Sequence, residues 1–314
     1  MSGSAPRVAG IIYHALLSHA EELADALKAR YSPGGEWWSA NQATLGQYQD
    51  RCDESELLVT IGGDGTILRG VHEAAPRGIP VVGVNLGRVG FMSEIDATDA
   101  VEGLGWYLEG NARVERRAML RVQILQGDGN ATDGPHDALN DVVVGRGAIL
   151  RLIEVETVLD GTRLATYRGD GVVVATATGS TGYCLSLGGP VMDPESDSIL
   201  LKPIAAHMSL HGGAVLPANC TLDLTLRYQN PATLSVDGFI DRMLSHGQVV
   251  RVRQSPHRAL FLRRHSTDAF WGSVTRRLGM RQGALPRQAR EQEDLDTIED
   301  RIQSAEDSRY APRL

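Results

Sequence analysis

One carboxylate stands among glycines where residues 62–66 read Gly-Gly-Asp-Gly-Thr, directly after the apolar run 57–60. Glycines lack side-chain bulk, so their N–H groups can approach a phosphate closely, and a following helix N-terminus favours negative charge. The carboxylate of Asp64 could hold a metal ion or accept a proton from a hydroxyl group that attacks phosphorus. The segment therefore predicts phosphate handling, with a plain Gly-Asp-Gly turn as the alternative.

A second cluster of small polar residues lies within residues 168–190. The apolar run 172–175 leads into glycines and small hydroxyl residues that end in Tyr183, and Asp170 stands at its entrance. Hydroxyl groups and bare backbone suit hydrogen bonding to a nucleobase edge, and an aromatic ring can cover another ring. The cluster favours a nucleotide-binding loop over a Ser/Thr-rich surface turn.

A third glycine-rich loop occupies residues 83–92. Its glycines and Asn85 allow it to pass close to a bound ligand. Arg88 offers a fork of donors that suits a phosphate, with a solvated loop arginine as the alternative interpretation.

The elements that position these loops change in kind along the chain. Strand-like runs at 7–13, 57–61 and 79–84 alternate with helical patterns at 20–30 and 66–75, which predicts a parallel sheet with right-handed crossovers. Ligands bind at the carboxyl ends of such strands. From about Arg113 the helical spacing gives way to β-rich runs separated by turn signals, which predicts a mostly antiparallel β domain. These runs are 119–125, 138–145, 149–159, 171–176, 221–228, 233–236 and 248–253, and a short strand at 259–262 precedes a helical stretch at 269–278.

Composition limits the class of protein. The chain has 314 residues, 42% of them hydrophobic, and a net charge of −8, which is typical of a soluble globular protein and argues against nucleic-acid binding. No apolar run is long enough for a membrane span, and the N-terminal residues do not resemble a signal peptide. Three scattered cysteines argue against a disulfide framework or a structural zinc site and favour a reducing cytoplasm. The P-loop pattern and a glycine fingerprint after the first strand are both missing, which argues against a P-loop ATPase and a hydride-transferring dehydrogenase.

Taken in order, the motifs resemble those of the NAD kinases. The Gly-Gly-Asp-Gly turn alone is shared with lipid kinases and phosphofructokinases, whereas the Thr-Gly-Ser-Thr-x-Tyr block is far more specific. The resemblance covers roughly residues 7–280, and the segments that carry it are 62–66, 83–91, 139–141, 169–171, 178–183, 188–190, 203–207, 236–238, 270–271 and 278–279.

The resemblance implies an enzyme that transfers the terminal phosphoryl group of ATP, or of polyphosphate, to the 2′-hydroxyl of the adenosine ribose of NAD, giving NADP. It implies that Asp64 lies beside this hydroxyl as the catalytic residue and that Mg²⁺ or another divalent cation assists. The NAD-binding residues expected are Gly65, Asn140, Asp141, Arg168, Asp170, Ser180, Thr181, Gly182, Tyr183 and Ser186. For the donor phosphates we expect Gly62, Gly63, Gly65, Thr66 and Arg88.

The resemblance also implies the organisation of the chain. It predicts an α/β domain over residues 1–100 that is completed by a returning segment at about 258–280. A β-rich NAD-binding domain would cover 101–257, and residues 281–314 would form a charged, mobile tail. The family's usual assembly predicts a homodimer or homotetramer, and its partners would be NAD and ATP, with no nucleic acid and no membrane.

Two motifs depart from the family pattern, at three positions. Asp141 replaces the usual glutamate and is one methylene shorter, so a contact could be lost or bridged by water. Ala177 and Gly182 make the hydroxyl-rich loop less rigid, which could weaken NAD binding entropically. Two other functions therefore stay open: a lipid kinase that shares the phosphate turn, and a non-catalytic NAD(P)-binding sensor.

Overall fold

The computed structural model describes residues 6–32, 35–87, 90–147, 151–206, 213–227 and 230–281. The N-terminal part is an α/β layer in which parallel strands run in the order β2-β1-β3-β4. Strands β3 and β4 are almost entirely buried apolar runs, as expected for a parallel sheet that is covered on both faces. The elements are β1 (Val8–Tyr13), α1 (Ser18–Tyr31), β2 (Glu36–Asn41), α2 (Gln49–Glu54), β3 (Leu57–Gly62), α3 (Asp64–Ala74), β4 (Pro80–Asn85), β5 (Ile95–Asp96) and α4 (Ala100–Leu108).

The rest of the chain is dominated by antiparallel strands, which confirms the predicted fold class. Some of them extend the first sheet to 11 strands, and others form a 6-stranded sheet in the order β13-β12-β11-β8-β15-β16. The elements are β6 (Arg113–Leu125), β7 (Ala131–Ala138), β8 (Asp141–Arg146), β9 (Ile153–Leu159), β10 (Thr162–Gly169), β11 (Gly171–Ala175), α5 (Tyr183–Ser186), β12 (Ile199–Ile204), β13 (Ala214–Leu216), β14 (Thr221–Leu226), β15 (Ala232–Val236), β16 (Ile240–Leu244), β17 (Val249–Arg263) and α6 (Asp268–Arg281).

Strand β17 joins the two kinds of sheet. Its first residues pair with β14, its whole length pairs with β6 around an irregularity at 254–258, and Leu260 and Phe261 pair in parallel with β4. The two strands expected at 248–253 and 259–262 are therefore one strand. The chain thus returns to the N-terminal sheet within β17.

By contacts, the molecule divides into two compact units, Met1–Arg264 and His265–Leu314, and α6 belongs to the second. The proposed division of the first unit at residue 100, and the packing of residues 265–280 on the N-terminal domain, stay predictions. The charged stretch from residue 282 onward lies outside the described residues. Within the described ranges, no helix combines the length and the apolar character that a membrane crossing requires.

The main core of the β-rich part lies between the two sheets. Alternate residues of β11 point to opposite faces, so Val172 and Val174 enter this core. Val173 and Ala175 instead pack on the other face against a smaller cluster that includes Cys184. The hydroxyl-rich loop after β11 is thereby anchored at both of its ends.

Candidate active site

The carboxylate of Asp64 lies at the carboxyl end of the parallel sheet. Strands β3 and β4 end level with each other, since Gly62 pairs with Asn85. Helix α3 begins at Asp64, two residues earlier than the apolar spacing predicts, and an acidic side chain is favoured in the first turn of a helix. Oδ2 of Asp64 accepts a hydrogen bond from the N–H of Phe91 at 3.4 Å. Oδ1 of Asp64 is buried and has no hydrogen-bond partner among the described residues. A buried, unpaired carboxylate oxygen is costly, so this atom lacks a partner that the described residues do not supply.

Two of the glycines near this carboxylate stand where a larger residue does not fit. A Cβ at Gly90 would stand 1.9 Å from Oδ1 of Asp64, and a Cβ at Gly62 would stand 2.3 Å from Oγ1 of Thr66. Gly63 and Gly65 are exposed and have open space around them. The glycine expected for phosphate binding at position 62 is buried, so it serves the packing of the turn while Gly63 and Gly65 form its open surface.

A cleft of ≈ 570 Å³ opens beside this turn. The hydroxyl of Thr66 accepts a hydrogen bond from Gln42 at 2.9 Å, and the guanidinium of Arg69 lies over the ring of Phe239 at 4.1 Å. The cleft therefore combines exposed backbone, amide and hydroxyl groups with the guanidinium of Arg69. Its lining residues are His14, Leu17, Gln42, Gly63, Gly65, Thr66, Arg69, Asn85, Leu86, Gly87 and Phe239.

A buried cluster of charged side chains lies near Asp64 and consists of Glu115, Arg117 and Arg263. Nε of Arg117 and Nε of Arg263 both donate to Oε1 of Glu115, at 2.7 and 3.0 Å. Burial opposes ionisation of Glu115, but the charges of the two arginines outweigh it and lower its pKa to about 2. Burial, and then the charge of Arg263, lower the pKa of Arg117 to about 10, against the attraction of Glu115 and Asp64. Arg117 thus stays protonated at neutral pH as a fixed cation near Asp64, and it also reaches Oγ1 of Thr178 at 3.4 Å.

The other side of the site is formed where three strands of the second sheet meet. Asp141 begins β8 and pairs with Ala175 at the end of β11, while β15 ends at Val236 beside them. The carbonyl of Asn140 accepts a hydrogen bond from the N–H of Thr176 at 2.9 Å. A Cβ at Gly179 would stand only 2.0 Å from that carbonyl, so the hydroxyl-rich loop packs directly on the Asn140 backbone.

Charged groups collect around Tyr183, whose ring is 44% exposed. Burial raises the pKa of Tyr183, and the negative charges of Asp170 and Asp141 raise it further. Asp170 also pairs with Arg146 at 3.2 Å.

The other predicted NAD-binding residues differ in their surroundings. Ser180 is fully buried: its hydroxyl donates to the carbonyl of Ala177 at 2.6 Å and accepts from the N–H of Met192 at 3.0 Å. This side chain therefore holds the loop in its conformation through both hydrogen bonds, and a role of Ser180 in NAD binding stays a prediction. The hydroxyl of Thr181 donates to the carbonyl of Thr178 at 3.0 Å.

Three more predicted residues complete the set. Gly182 lies where an added Cβ would stand 3.3 Å from the carbonyl of Gly179. Ser186 is exposed at the end of α5, and Arg168 is exposed on β10, where no recorded contact within the described ranges joins it to the cluster. Arg88 lies outside the described residues.

The side chain of Asp237 connects helix α3 with the loop 139–141, and the sequence does not predict this contact. The fully buried carboxylate of Asp237 accepts hydrogen bonds from the N–H groups of Leu139, Asn140 and Asp141 and contacts Nε2 of His72. Residues 236–238 are among the segments that carry the family resemblance, but the sequence predicts no site role for Asp237. Nothing local marks its carboxylate as buried, because its partners are 96 to 165 residues away in the chain.

The protonation of Asp141 predicts a pH-dependent stability. Burial, and then the charge of Asp237, raise the pKa of Asp141 to about 7, whereas an unfolded aspartate titrates near pH ~4. The folded protein therefore keeps a proton that the unfolded chain releases, and the stability this contributes is lost as the pH rises from about 4 to about 7. We expect Asp141→Asn to be more stable than the parent at pH 8, by at most about 4 kcal/mol, with the gain vanishing near pH 4.

Urea unfolding of both proteins across this pH range measures the effect. The exposed Asp241, on β16, supplies the control Asp241→Asn, for which the parental pH dependence should persist. A gain for Asp141→Asn that is equal at pH 4 and pH 8 would contradict the assignment.

The comparisons with known proteins agree with this geometry. The ATP-NAD kinase N-terminal domain family matches residues 13–112, and the ATP-NAD kinase C-terminal domain family matches residues 139–264. The NAD kinase of Dehalococcoides mccartyi (strain CBDB1) is 39% identical over 270 residues, which cover 86% of this chain and 95% of the relative. That of Heliobacterium modesticaldum is 40% identical over 210 residues, covering 67% and 74%.

Two solved structures show the same architecture. An NAD kinase from Archaeoglobus fulgidus in complex with ATP is 26% identical with a TM-score of 0.69, over 85% of this chain and 99% of the other. Yeast NADH kinase complexed with NADH has a TM-score of 0.79 at 24% identity, over 89% and 90%, and that likeness concerns the fold alone. With the curated relatives, these matches show that the chain belongs to the NAD kinase family.

Proposed function

We propose that Asp64 is the general base with which this NAD kinase activates the 2′-hydroxyl of the adenosine ribose of NAD. One observation carries the proposal: Oδ1 of Asp64 is buried and without a hydrogen-bond partner in the described part of the chain, at the mouth of a glycine turn. A general base must present a free lone pair within reach of the proton it removes.

The residues that we assign to NAD lie on and beside the second sheet. We assign the adenosine end of NAD to the loop 178–183 and its ribose and nicotinamide end to Asn140, Asp141 and Asp170. The partly exposed ring of Tyr183 supplies an aromatic surface for a planar base. Thr181, Gly182 and Ser186 would contribute from the same loop, with Gly65 and Arg168 at the margins.

We assign the phosphoryl donor to the cleft beside α3. Exposed N–H groups at Gly63 and Gly65, the N-terminus of α3, and the side chains of Gln42, Thr66 and Arg69 suit a polyanion. ATP is the donor we propose, because the Archaeoglobus relative is described in complex with ATP. Polyphosphate offers the same phosphate chemistry, and Arg88 is proposed as a further cation.

The residues present also suit a divalent cation. Mg²⁺ is commonly held by one or two carboxylates together with substrate phosphates. The ligand from this carboxylate would be Oδ2 of Asp64, the oxygen that is not assigned to the proton. No group of three or more His, Cys, Asp or Glu side chains arranged for a metal occurs among the described residues, so the phosphates would supply most of the ligands. When bound, the ion balances the charge of the phosphates.

The reaction requires an in-line arrangement of acceptor and donor. The 2′-oxygen of NAD forms a bond to the terminal phosphorus of the donor while its proton passes to Asp64. The bond from that phosphorus to the bridging oxygen breaks, and ADP leaves with the electron pair. Glycine N–H groups of the turn stabilise charge on the transferring oxygens, and the cleft fixes the distance.

Two further properties belong to the proposal. The three cysteines are free and buried, which agrees with a reducing cytoplasm. We also propose a homodimer or homotetramer, which light scattering would test.

An assay for NADP tests the function. The protein is incubated with Mg²⁺ and NAD, and with either ATP or polyphosphate, and NADP is measured with an NADP-specific dehydrogenase. We expect NADP to form with at least one donor. Diacylglycerol with ATP serves as the lipid-kinase alternative, for which we expect no product. Tight NAD binding without NADP from either donor would indicate a non-catalytic sensor and overturn the proposal.

A further inference from the structure

The carboxylate of Asp237 fixes the backbone of the loop proposed to hold NAD. It is fully buried and accepts hydrogen bonds from three consecutive N–H groups, those of Leu139 at 2.7 Å, Asn140 at 2.8 Å and Asp141 at 2.9 Å. Its own N–H donates to the carbonyl of Asp141 at 3.0 Å. Asp237 has a φ of 51°, a left-handed conformation that is uncommon for residues with a side chain. The fold retains this conformation because it aims the carboxylate at the loop.

Helix α3 reaches the same carboxylate from the phosphate side. Nε2 of His72 lies 2.9 Å from Oδ2 of Asp237. Asp64 and His72 belong to one helix, eight positions apart, which corresponds to roughly two turns and about 12 Å. A rigid helix segment therefore has the proposed base at its first residue and the contact with Asp237 near its end.

Two ring contacts reinforce the connection. Phe239 lies under the guanidinium of Arg69 at 4.1 Å and meets the ring of His72 edge-on at 5.8 Å. The turn 237–239 is thus held by α3 at two neighbouring positions. The helix itself is held by its apolar face, since Ile67, Leu68 and Val71 belong to a core cluster that also includes Leu139. Losing the His72 contact would therefore alter the position of the NAD loop relative to α3 rather than release the helix.

We propose that His72 is a positioning residue for phosphoryl transfer, which sets the distance between the Asp64 carboxylate and the loop 139–141 through its contact with Asp237. The inference rests on the proposed roles of Asp64 and of that loop. A displacement of about 1 Å between reacting groups can lower a rate by about 10²-fold. The side chain of His72 is 22% exposed, so its replacement does not open a sealed core cavity.

Kinetics of His72→Ala test the proposal. We expect kcat to fall about 10- to 100-fold and KM for NAD to rise, with KM for the phosphoryl donor nearly unchanged, because the glycine turn is not displaced. His72→Gln keeps an N–H donor on a side chain of similar reach and should recover most of the lost rate. His136→Ala removes another His–Asp contact, that of His136 with Asp133 at 2.8 Å, and should leave the kinetics unchanged.

The rate of His72→Ala in the Asp64→Asn background distinguishes a positioning role of His72 from a general loss of structure. If His72 acts by placing the base, then His72→Ala should lower the residual rate of Asp64→Asn far less than it lowers the parental rate. A loss of the same factor in both backgrounds, or parental kinetics for His72→Ala, would overturn the inference. If His72→Ala does not fold, as judged by its thermal transition, the comparison of His72→Gln with the shorter His72→Asn carries the test: equal rates would overturn it. Failure of the proposed function is recognised separately, by Asp64→Asn alone retaining parental turnover.

Discussion

The variant Asp64→Asn should lower kcat by about 10²- to 10⁴-fold, the range that removal of a general base produces. Asparagine has nearly the shape of aspartate, so the helix start and the hydrogen bond from the N–H of Phe91 can persist. The substitution removes the ability of this side chain to accept a proton through Oδ1 of Asp64, which has no hydrogen-bond partner within the described residues. KM for NAD should change little, because the NAD-binding groups lie mainly on the second sheet.

Steady-state rates of NADP formation and calorimetric NAD binding measure these two expectations. Asp96→Asn, at an exposed aspartate of β5, is the matched control and should keep the parental rate. The loss of a negative charge near the buried Arg117 should also lower the thermal midpoint slightly, since Asp64 attracts that cation. Turnover within threefold of the parent would exclude Asp64 as the base.

The loops that could be predicted from the sequence are those whose signal is local. The turn at Asp64 combines a buried strand, a glycine run and a helix, all within about fifteen residues, and each has its own periodicity or composition. The loop after β11 has the same advantage. In both cases the backbone conformation follows from neighbouring residues, so the predicted residues are brought together in the structure.

The strands that the sequence did not reveal lack a local pattern. Strand β12 is a fully buried run that contains Lys202 and Pro203, and proline argues against a strand with neighbours on both sides. Among the described residues, β13 pairs only with residues 199–201, so Pro203 has a strand neighbour only in β11 there, where a proline is tolerated. Strand β10 is largely exposed and pairs only with β9 within the described sheet, so its alternation is weak.

Side-chain partners were hardest to predict where they are distant in sequence. Ser180 has the residue type of a nucleotide-binding loop, but its hydroxyl is committed to Ala177 and Met192. His72 and Asp237 are separated by 165 residues, and only the packing of α3 on the turn after β15 brings them together. Such contacts depend on tertiary structure, which single-sequence patterns do not encode.

The substitution Gly90→Ala tests the same carboxylate by steric displacement. An added Cβ would stand 1.9 Å from Oδ1 and 2.5 Å from Cγ of Asp64, far inside van der Waals contact. Either the carboxylate or the loop that carries residue 90 must therefore move, and a shift of about 1 Å at the reacting group is expected to lower kcat by about 10²-fold. The overall fold should be retained, because Asp64 is the first residue of its helix and its side chain can turn away without displacing the core.

Two comparisons distinguish displacement of the base from general disturbance of the turn. Gly46→Ala adds the same methyl group where no atom lies within 4 Å and should leave the rate unchanged. In the Asp64→Asn background, Gly90→Ala should cost little further rate, since a displaced amide that cannot accept the proton has nothing more to lose. If the rate losses of the two substitutions instead multiplied in the double variant, the methyl group would be acting on the donor phosphates through the loop and not on the carboxylate. Glycine at position 90 would then be required by phosphate binding, and the steric argument for a free, precisely placed Asp64 would fail.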